Sequence, residues 1–351
     1  MKAFVARELA ALHGPGAAGL AVERLAGDAS DRRYYRVRTA DGLPNYVVME
    51  ILSLESALKS EEVTLYHSTT GELPFLNIQR FLAGLGLPVP QVHRYDPAAR
   101  LMLLEDLGET LLGDAARGEP RAALARYETA VDLLVAMQAR ASGDATGRAQ
   151  CVAFRQRFEP ALLAWEFDHF LEYGIEKKGA ALGPADAAAI RDKFAAIAGE
   201  IAAAPVVFTH RDYHSRNLLV MPGTLGIIDF QDALLGPPTY DLASLLRDSY
   251  VALPEEMIDA LVARYLSLAR KEKIPGTGDA AAFRRLFDLT ALQRNLKAAG
   301  RFDYIAAVKG NPRYLPAIPR TLGYVARTLA RYPELADLRR RLARYVPALA
   351  G

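Results

Sequence analysis

The segment 206–241 constrains this chain more than any other part of its sequence. In it, an H-R-D tripeptide ends at Asp212, and Asn217 follows after four intervening residues. Asp229 lies twelve residues beyond Asn217, at the end of a short apolar run. β-type runs flank the loop on both sides, so these polar residues are predicted to stand at strand ends. A rigid β frame of this kind is suited to a catalytic site.

The spacing matches the H-R-D-x-x-x-x-N loop and the following Asp-Phe pair of phosphoryl-transfer enzymes. That reaction needs a base for the proton of the acceptor hydroxyl, and Mg²⁺ to neutralise the phosphate oxygens. We therefore predict that Asp212 is the catalytic base. Asn217 and Asp229 offer the hard oxygen ligands that Mg²⁺ prefers, and we predict that both bind it. A three-residue match would be weak evidence, but the complete pattern is specific.

Composition excludes several other classes of protein. The chain has 351 residues, enough for two domains or lobes, with 51% hydrophobic and 24% charged residues. Its net charge of +2 gives no case for binding nucleic acid. The single cysteine, Cys151, excludes an internal disulfide and fits a reducing compartment. No apolar run approaches the length of a membrane span. We expect a cytoplasmic monomer with neither a nucleic-acid nor a membrane partner.

Before residue 105, β-type runs alternate with polar turns. The sequence predicts helices over 3–12 and 74–85, and strands over 20–25, 33–38, 46–51, 91–95 and 101–105. Because the phosphoryl-transfer pattern follows downstream, the turn after the first strand is placed to cover nucleotide phosphates. We predict nucleotide-binding roles for four of its residues, Asp28, Ala29, Ser30 and Arg32. The turn has one glycine instead of the three in G-x-G-x-x-G, so a plain hairpin turn is the alternative.

The apolar run 101–104 is broken by the residues EDLG at 105–108. A linker at this position would present backbone groups to an adenine ring, so we predict that Glu105 and Leu107 bind the nucleotide. A plain strand-to-helix loop is the alternative. From residue 120 the pattern is helical outside the 206–241 segment. The sequence predicts helices over 121–140, 154–173, 184–203, 241–251, 254–271, 279–298, 315–331 and 333–346.

With these elements in order, the chain resembles the aminoglycoside phosphotransferase family, over essentially its whole length. The resemblance is carried by GDAS (27–30), RRY (32–34), LEDLG (104–108), HRDYHSRN (210–217), IDFQDA (228–233), GPPTYDL (236–242), LLRD (245–248) and QRNLK (293–297). It implies an α+β, bilobal protein-kinase-like fold with a small N-terminal antiparallel β lobe and a larger, mostly helical C-terminal lobe. The implied parts are a nucleotide-binding lobe (1–104), a hinge (105–109) and a catalytic and substrate lobe (110–351).

Within that family the chain is most similar to the bacterial anomeric kinases of cell-wall recycling. The resemblance implies that ATP and Mg²⁺ are used to phosphorylate the C1 hydroxyl of N-acetylmuramate and N-acetylglucosamine. It also implies a catalytic role for His214 near the γ-phosphate, with a structural histidine that bonds the loop as the alternative. Trp165 could stack on the sugar or belong to the core. Arg294 could meet a substrate carboxylate or cap a helix. Asp241 could brace the catalytic loop or cap a helix.

The sequence departs from the kinase pattern on the third strand. Many kinases carry a lysine there, paired with a glutamate on the next helix, whereas residues 46–50 read YVVME. Arg32, Arg33 or Lys59 could replace that cation. The missing lysine leaves a catalytically dead nucleotide-binding module as an alternative function. Another alternative is a kinase of aminoglycosides, choline or homoserine. A protein kinase is disfavoured, because the short distance from Asp229 to Asp241 leaves no room for a long activation segment.

Overall fold

The computed structural model describes residues 1–15, 17, 19–25, 32–39, 43–54, 72–143 and 146–350. The packing divides the chain into two compact units. Unit 1 comprises Met1–Thr110, Thr146–Val152 and Leu219–Asp232, and unit 2 comprises Leu111–Ala145, Ala153–Leu218 and Ala233–Gly351. The lobe boundaries predicted from the sequence place residues 146–152 and 219–232 in the C-terminal lobe, whereas the packing groups them with unit 1. The lobe boundaries stay a prediction.

The strands are short and the helices dominate after residue 110. The strands are β1 (Gly19–Arg24), β2 (Arg32–Thr39), β3 (Tyr46–Ile51), β4 (Val92–Asp96), β5 (Leu101–Glu105), β6 (Val207–Thr209), β7 (Leu218–Met221), β8 (Thr224–Ile227) and β9 (Leu234–Gly236). The helices are α1 (Lys2–His13), α2 (Pro74–Gly84), α3 (Leu112–Ala115), α4 (Pro120–Ser142), α5 (Pro160–Phe170), α6 (Pro184–Ala202), α7 (Thr239–Leu246), α8 (Glu255–Lys271), α9 (Ala280–Val308), α10 (Ile318–Arg331) and α11 (Ala336–Ala343).

Unit 1 is built on a five-stranded sheet in the order β1-β2-β3-β5-β4. Every neighbouring pair of strands is antiparallel, as the sequence predicted. Alternate residues of β3, such as Tyr46 and Val48, face α1 and bury its apolar side. This follows from the period of two in a strand, which sends successive side chains to opposite faces.

On the opposite face of the sheet, β3 carries Met49 at a buried position, in a strand where many kinases have a lysine. Met49 pairs with Tyr34 on one neighbouring strand and with Met102 on the other. Its side chain is almost completely buried. The position therefore holds an apolar side chain among large neighbours, where an unpaired ammonium group would be costly to bury.

Unit 1 also includes two segments from later in the chain. The amide oxygen of Asn77 on α2 accepts the N–H of Val152 at 2.8 Å, which holds the 146–152 segment. Val220 of β7 donates its N–H to the carbonyl of Thr110 at 2.8 Å. Ile227 of β8 donates in the same way to Pro88 at 2.7 Å. The paired strands β7 and β8 thus complete their backbone hydrogen bonds within unit 1.

Unit 2 is mostly helical, and its largest core cluster includes residues of α5, α6, α9, α10 and α11. Two of its helices begin with residues typical of helix N-termini: Pro120 opens α4, and the carboxylate of Asp279 caps α9. β6 and β9 form a short antiparallel pair that leads into the 210–217 loop. No helix in the described part of the chain combines the length and apolar character needed to cross a membrane.

Candidate active site

The 210–217 loop follows β6 in unit 2 and is fixed by a carboxylate on α7. The main-chain N–H groups of His210 and Arg211 donate to the two carboxylate oxygens of Asp241, at 2.7 and 2.9 Å. Arg211 has a φ of 80°, a left-handed backbone that its surroundings must hold in place. Asp241 lies inside α7, so it braces the loop, and the alternative that it caps the helix is wrong. Burial raises the pKa of Asp241 to about 7.

Asp212, the predicted base, is 39% exposed at its side chain. One of its oxygens lies 3.7 Å from Nη2 of Arg294. Burial opposes its ionisation, but nearby cations outweigh burial and hold the pKa of Asp212 below its ordinary value of 3.8. These cations are Lys297, Arg294 and Arg211. The carboxylate is therefore ionised at neutral pH, which is the state a proton acceptor requires.

Arg294 lies in the middle of α9, so the alternative that it caps a helix is wrong. Its Nη1 donates to the carbonyl of Arg211 at 2.5 Å, and its Nη2 donates to Oγ of Ser244 at 2.7 Å. The guanidinium also lies over the ring of Tyr240, 4.5 Å from its centroid. These contacts fix a cation beside the carboxylate of Asp212.

The second half of the loop turns back on Asp212. Its carbonyl accepts the N–H of His214 and the amide nitrogen of Asn217, both at 2.9 Å. The ring of His214 packs edge-on against Tyr250, with 5.5 Å between centroids. Its Nδ1 is buried without a hydrogen-bond partner in the part of the chain that the structure describes. Its contact with the loop is therefore made by the main chain.

In unit 1, Asp229 lies just beyond β8 and is exposed. It has a φ of 66°, again in the left-handed region. Nε2 of Gln231 donates to Oδ1 of Asp229 at 2.9 Å and to Oδ2 of Asp232 at 3.1 Å. One amide therefore links two carboxylates at the end of this strand pair.

Arg32, one of the predicted nucleotide-binding residues, interacts electrostatically with these two carboxylates. Burial lowers the pKa of Arg32, but Tyr34, Asp232 and Asp229 together raise it above its ordinary value. The neighbouring Arg33 instead faces Glu50, at 3.9 Å. The other predicted phosphate-covering residues, Asp28, Ala29 and Ser30, lie outside the described residues, as does Lys59.

The predicted hinge is fixed by a buried ion pair. Nε and Nη2 of Arg36 donate to the two carboxylate oxygens of Asp106, at 2.6 and 2.9 Å. Asp106 also accepts the N–H of Gly108, whose carbonyl accepts from Arg36. Glu105 ends β5, and no described residue accepts the N–H of Leu107. The segment is thus rigid, and the N–H of Leu107 can serve a ligand.

Trp165 on α5 is 43% exposed, so the alternative that it belongs to the core is wrong. Its indole stacks on the ring of His169, with centroids 5.6 Å apart and planes 27° from parallel. His169 in turn contacts the rings of Tyr173 and Tyr304, with centroids 4.8 and 5.3 Å away. Trp165 is therefore the outer member of an aromatic cluster in unit 2.

The two residues predicted to bind Mg²⁺ belong to different units, Asn217 to unit 2 and Asp229 to unit 1, and each has an oxygen of the kind that Mg²⁺ prefers. Among the described residues, no group of three or more His, Cys, Asp or Glu side chains could hold a metal by itself. Mg²⁺ commonly takes only one or two protein oxygens and completes its shell with phosphates and water. The amide of Asn217 is fixed by its bond to the main chain, and Asp229 offers an exposed carboxylate.

Two charged residues near Asp212 were not predicted from the sequence. Glu166 on α5 is fully buried and lies 2.8 Å from the ammonium of Lys297 on α9. Nothing in the sequence distinguishes Glu166 from the other acidic residues of a mixed-charge helix. The one available signal was the i, i+3 spacing of Arg294 and Lys297, which places both on one face of a helix.

Comparison with known proteins places the chain among kinases of similar sequence. The chain is 34% identical to the N-acetylmuramate/N-acetylglucosamine kinase of Pseudomonas aeruginosa over 322 residues, which is 90% of this chain and 86% of that protein. It is 31% identical to the kinase of the same name from Caulobacter vibrioides over 344 residues, or 93% and 92% of the two chains.

The solved structures that it resembles have the same fold at low sequence identity. A choline/ethanolamine kinase family protein from Mesorhizobium loti matches with a TM-score of 0.59 and 18% identity, with 100% of both chains covered. A GDP complex of a mutant aminoglycoside 2′-phosphotransferase-IIIa matches with a TM-score of 0.60 and 15% identity, covering 94% of this chain and 98% of that one. Residues 21–283 match the model of the phosphotransferase enzyme family. The chain therefore belongs to this family and has its protein-kinase-like fold.

Proposed function

We propose that the protein is an ATP-dependent kinase that phosphorylates the anomeric C1 hydroxyl of N-acetylmuramate and N-acetylglucosamine. One observation carries the proposal: the chain is 31–34% identical to four N-acetylmuramate/N-acetylglucosamine kinases, over 89–93% of its length. Fold similarity to choline kinases and aminoglycoside phosphotransferases supports the reaction class, whereas the acceptor has to be argued from the site itself.

The charges around Asp212 give no support to a cationic acceptor. Among the described residues, Arg211, Arg294 and Lys297 are present with three carboxylates, Asp212, Glu166 and Asp241, and burial raises the pKa of Asp241 to about 7. A cationic acceptor such as choline or an aminoglycoside would therefore meet no net negative charge that could attract it. The alternatives with cationic acceptors are therefore less favourable.

In the proposed reaction Asp212 acts as the general base. Its carboxylate takes the proton from the C1 hydroxyl while that oxygen attacks the γ-phosphorus, and ADP leaves with the electrons of the broken P–O bond. The anomeric hydroxyl is more acidic than other sugar alcohols, so a weak base such as Asp212 meets an easier proton. His214 donates its main-chain N–H to the carbonyl of Asp212, and its side chain is proposed to act on the γ-phosphate.

We propose that the nucleotide is bound by the predicted hinge and phosphate residues. The N–H of Leu107 would donate to the adenine ring of ATP, next to Glu105 at the end of β5. Arg32 would supply the phosphate cation that Met49 cannot, with Asp28, Ala29 and Ser30 in the adjoining turn. Mg²⁺, when bound through Asn217 and Asp229, neutralises charge on the phosphate oxygens. The presence of Asp212, Asn217 and Asp229 together argues against a catalytically dead module.

Trp165 and Arg294 are the proposed contacts for the acceptor. An exposed indole that is backed by His169 presents a flat apolar face, which suits the C–H face of a pyranose ring. Arg294 is largely buried, with 13% of its side chain exposed. It would therefore orient Asp212 and offer little more than one edge to a substrate carboxylate.

The test is an acceptor panel followed by identification of the product. ADP release should depend on Mg²⁺ and be highest with N-acetylmuramate or N-acetylglucosamine, compared with choline, homoserine and an aminoglycoside. Phosphorus NMR should show a 1-phosphate coupled to the anomeric proton. Methyl glycosides of the same sugars, blocked only at C1, should bind without reacting. A 6-phosphate product would contradict the anomeric assignment and leave the kinase assignment intact.

A further inference from the structure

Arg216, near the end of the 210–217 loop, is held against an aromatic ring. The Cζ atom of its guanidinium lies 3.6 Å from the centroid of the Tyr250 ring. At that distance the planar guanidinium stacks on the face of the ring, and this cation–π contact fixes its orientation. Tyr250 itself contacts Phe302 of α9, with 6.0 Å between the ring centroids, and packs against the apolar cluster that contains Phe302. The position of Arg216 is therefore supported by helix packing.

The buried carboxylate of Asp248 fixes the main chain beside both partners of this stack. Its Oδ2 accepts the N–H of Ser215, the residue before Arg216, at 3.0 Å. Its Oδ1 accepts the N–H of Tyr250 at 2.7 Å. One side chain thus sets the backbone of the cation and the backbone of the ring. The guanidinium is held in place before any ligand binds, which reduces the entropy that binding would cost.

The hydrogen-bond donors of Arg216 are not used by the protein. Stacking occupies the face of a guanidinium and leaves the N–H groups along its edge. In the part of the chain that the structure describes, no acceptor takes a hydrogen bond from Arg216 and no carboxylate pairs with it. By contrast, Arg247 donates to the carboxylate of Glu255 through two nitrogens. A half-buried, fixed guanidinium with unused donors is suited to bind a planar anion.

Arg216 also lies in the same compact turn as Asp212. The main-chain N–H of His214 and the side-chain amide of Asn217 both donate to the carbonyl of Asp212 at 2.9 Å, so the chain between them folds back on itself. Arg216 therefore lies close to the proposed base without being bonded to it.

The two proposed acceptors differ by one group that such a cation would recognise. N-acetylmuramate is N-acetylglucosamine with a lactyl ether on O3, and this ether ends in a carboxylate. C3 is two carbons along the ring from C1, the proposed site of phosphorylation. When the C1 hydroxyl is at Asp212, the carboxylate lies a short distance to one side of the base. Arg294 is largely buried and already donates to a carbonyl and to Ser244, so it leaves this carboxylate without a full partner.

We propose that the guanidinium of Arg216, stacked on Tyr250, binds the lactyl carboxylate of N-acetylmuramate and so sets the preference of the enzyme between its two acceptors. The inference rests on the proposed function. It assigns a residue to the one part of the substrate that only one of the two sugars has. A guanidinium fits this task because its parallel N–H groups match the two oxygens of a carboxylate.

The test measures kcat/KM for N-acetylmuramate and for N-acetylglucosamine on each variant. Arg216→Met should lower the ratio of the first value to the second about tenfold or more, the usual effect of losing a charged hydrogen bond. Both values come from the same protein, so a general loss of activity or of folded enzyme cancels in the ratio. Arg216→Lys keeps the charge but not the paired donors, and should lower the ratio less.

Arg285→Met is the matched control. The guanidinium of Arg285 also lies over an aromatic ring, 5.3 Å from the centroid of Tyr332. Its donors, however, are bound by the carboxylate of Glu200, through Nε and Nη2 at 3.1 Å each. The substitution removes the same charge from a stacked position, and the ratio should stay at the wild-type value.

The methyl ester of N-acetylmuramate tests the charge from the side of the substrate, because it keeps the lactyl group and removes its negative charge. The wild type should prefer the acid over the ester about tenfold in kcat/KM. Arg216→Met should turn over the two within about twofold, because a coupled pair loses its effect when either partner is removed. If Arg216→Met does not fold, Arg216→Lys and the comparison of acid and ester on the wild type decide.

Three results would overturn the inference. One is an unchanged ratio in the Arg216 variants, and another is a wild type that turns over acid and ester equally. The third is an equal loss for both sugars with a raised KM for ATP, which would assign Arg216 to the nucleotide. Each of these leaves the proposed function intact. A wild type that phosphorylated neither sugar would contradict the proposed function and this inference with it.

Discussion

A guanidinium nitrogen of Arg294 lies 3.7 Å from a carboxylate oxygen of Asp212, while the same side chain holds the carbonyl of the preceding residue. The proposed base and the neighbouring cation are therefore fixed to each other through the main chain. This arrangement keeps Asp212 ionised without a short ion pair that would block it.

Asp212→Asn tests the base directly. We expect kcat to fall by roughly 10²–10⁴-fold, the usual effect of losing a general base. The affinity for ATP should change little, because the amide keeps the shape of the side chain and the base acts on the acceptor. ADP release gives kcat and calorimetry gives the nucleotide affinity. An unchanged kcat would rule out the assignment.

Asp229→Asn should weaken the binding of Mg-ATP itself. The carboxylate is proposed to hold Mg²⁺, which would neutralise charge on the phosphate oxygens, so its own charge matters before any chemistry occurs. We expect a loss of about tenfold or more in affinity by calorimetric titration. ATP binding measured in EDTA should be unaffected, which provides the control. Equal Mg-ATP affinity in the two proteins would contradict the metal role.

Arg32 and Arg33 form a matched pair, because neighbours on a strand point to opposite faces. Arg32→Met should reduce ATP affinity about tenfold, through loss of a partly desolvated cation near phosphate. Arg33→Met should change it less than about twofold, since exposed ion pairs such as that with Glu50 contribute little. If both variants bound ATP like the wild type, the missing lysine would have another substitute.

Trp165→Ala should raise the KM for the amino sugar by about three- to tenfold, which corresponds to the typical energy of one aromatic stacking contact. The KM for ATP should stay the same, because α5, the helix that carries Trp165, contains none of the predicted nucleotide-binding residues. Val308→Ala removes another exposed apolar side chain and serves as the control. A KM for sugar equal to that of the control would exclude Trp165 from the acceptor site.

The buried Asp241 gives the stability of the protein a pH dependence with a definite sign. Its folded-state pKa, about 7, lies above its ordinary value of 3.8, so the folded state retains the proton longer. This contribution to the free energy of unfolding therefore falls as pH rises from about 4 to 7, by up to about 4 kcal/mol. Urea unfolding across this range should show a smaller decline for Asp241→Asn. Parallel pH curves for the two proteins would contradict the raised pKa.

The sequence was most informative where spacing along the chain determines geometry. The sequence singles out Asp212, Asn217 and Asp229 because short loops and strand ends leave a catalytic residue few possible places, and their roles stay predictions. Glu166 and Lys297 were missed because they reach the base through helix packing, and a lone charge on a helix predicts a solvated face. Trp165 was weighed as a core residue for the same reason, since amphipathic spacing cannot show which residue lies at the edge of the buried stripe.

The end of α9 illustrates the limit for local structure. The sequence predicted a helix over 279–298, which stops two residues before Gly300. The helix continues to Val308. A Cβ added to Gly300 would lie 2.6 Å from Cα of Phe170, so this glycine permits two helices to approach closely. Helix propensity disfavours a glycine inside α9, whereas the close approach of Phe170 requires one.

The hydrogen bonds of Val220 to Thr110 and of Ile227 to Pro88 also affect the order in which the protein folds during synthesis. Domains generally fold in the order in which the ribosome releases them. Unit 1 starts at the first residue, yet it lacks its last strands until synthesis reaches Asp232, about two-thirds of the way along the chain. The N-terminal part of unit 1 therefore cannot complete its fold until residues 219–232 have been synthesised. A gene fragment that stops at Thr110 would encode an incomplete unit.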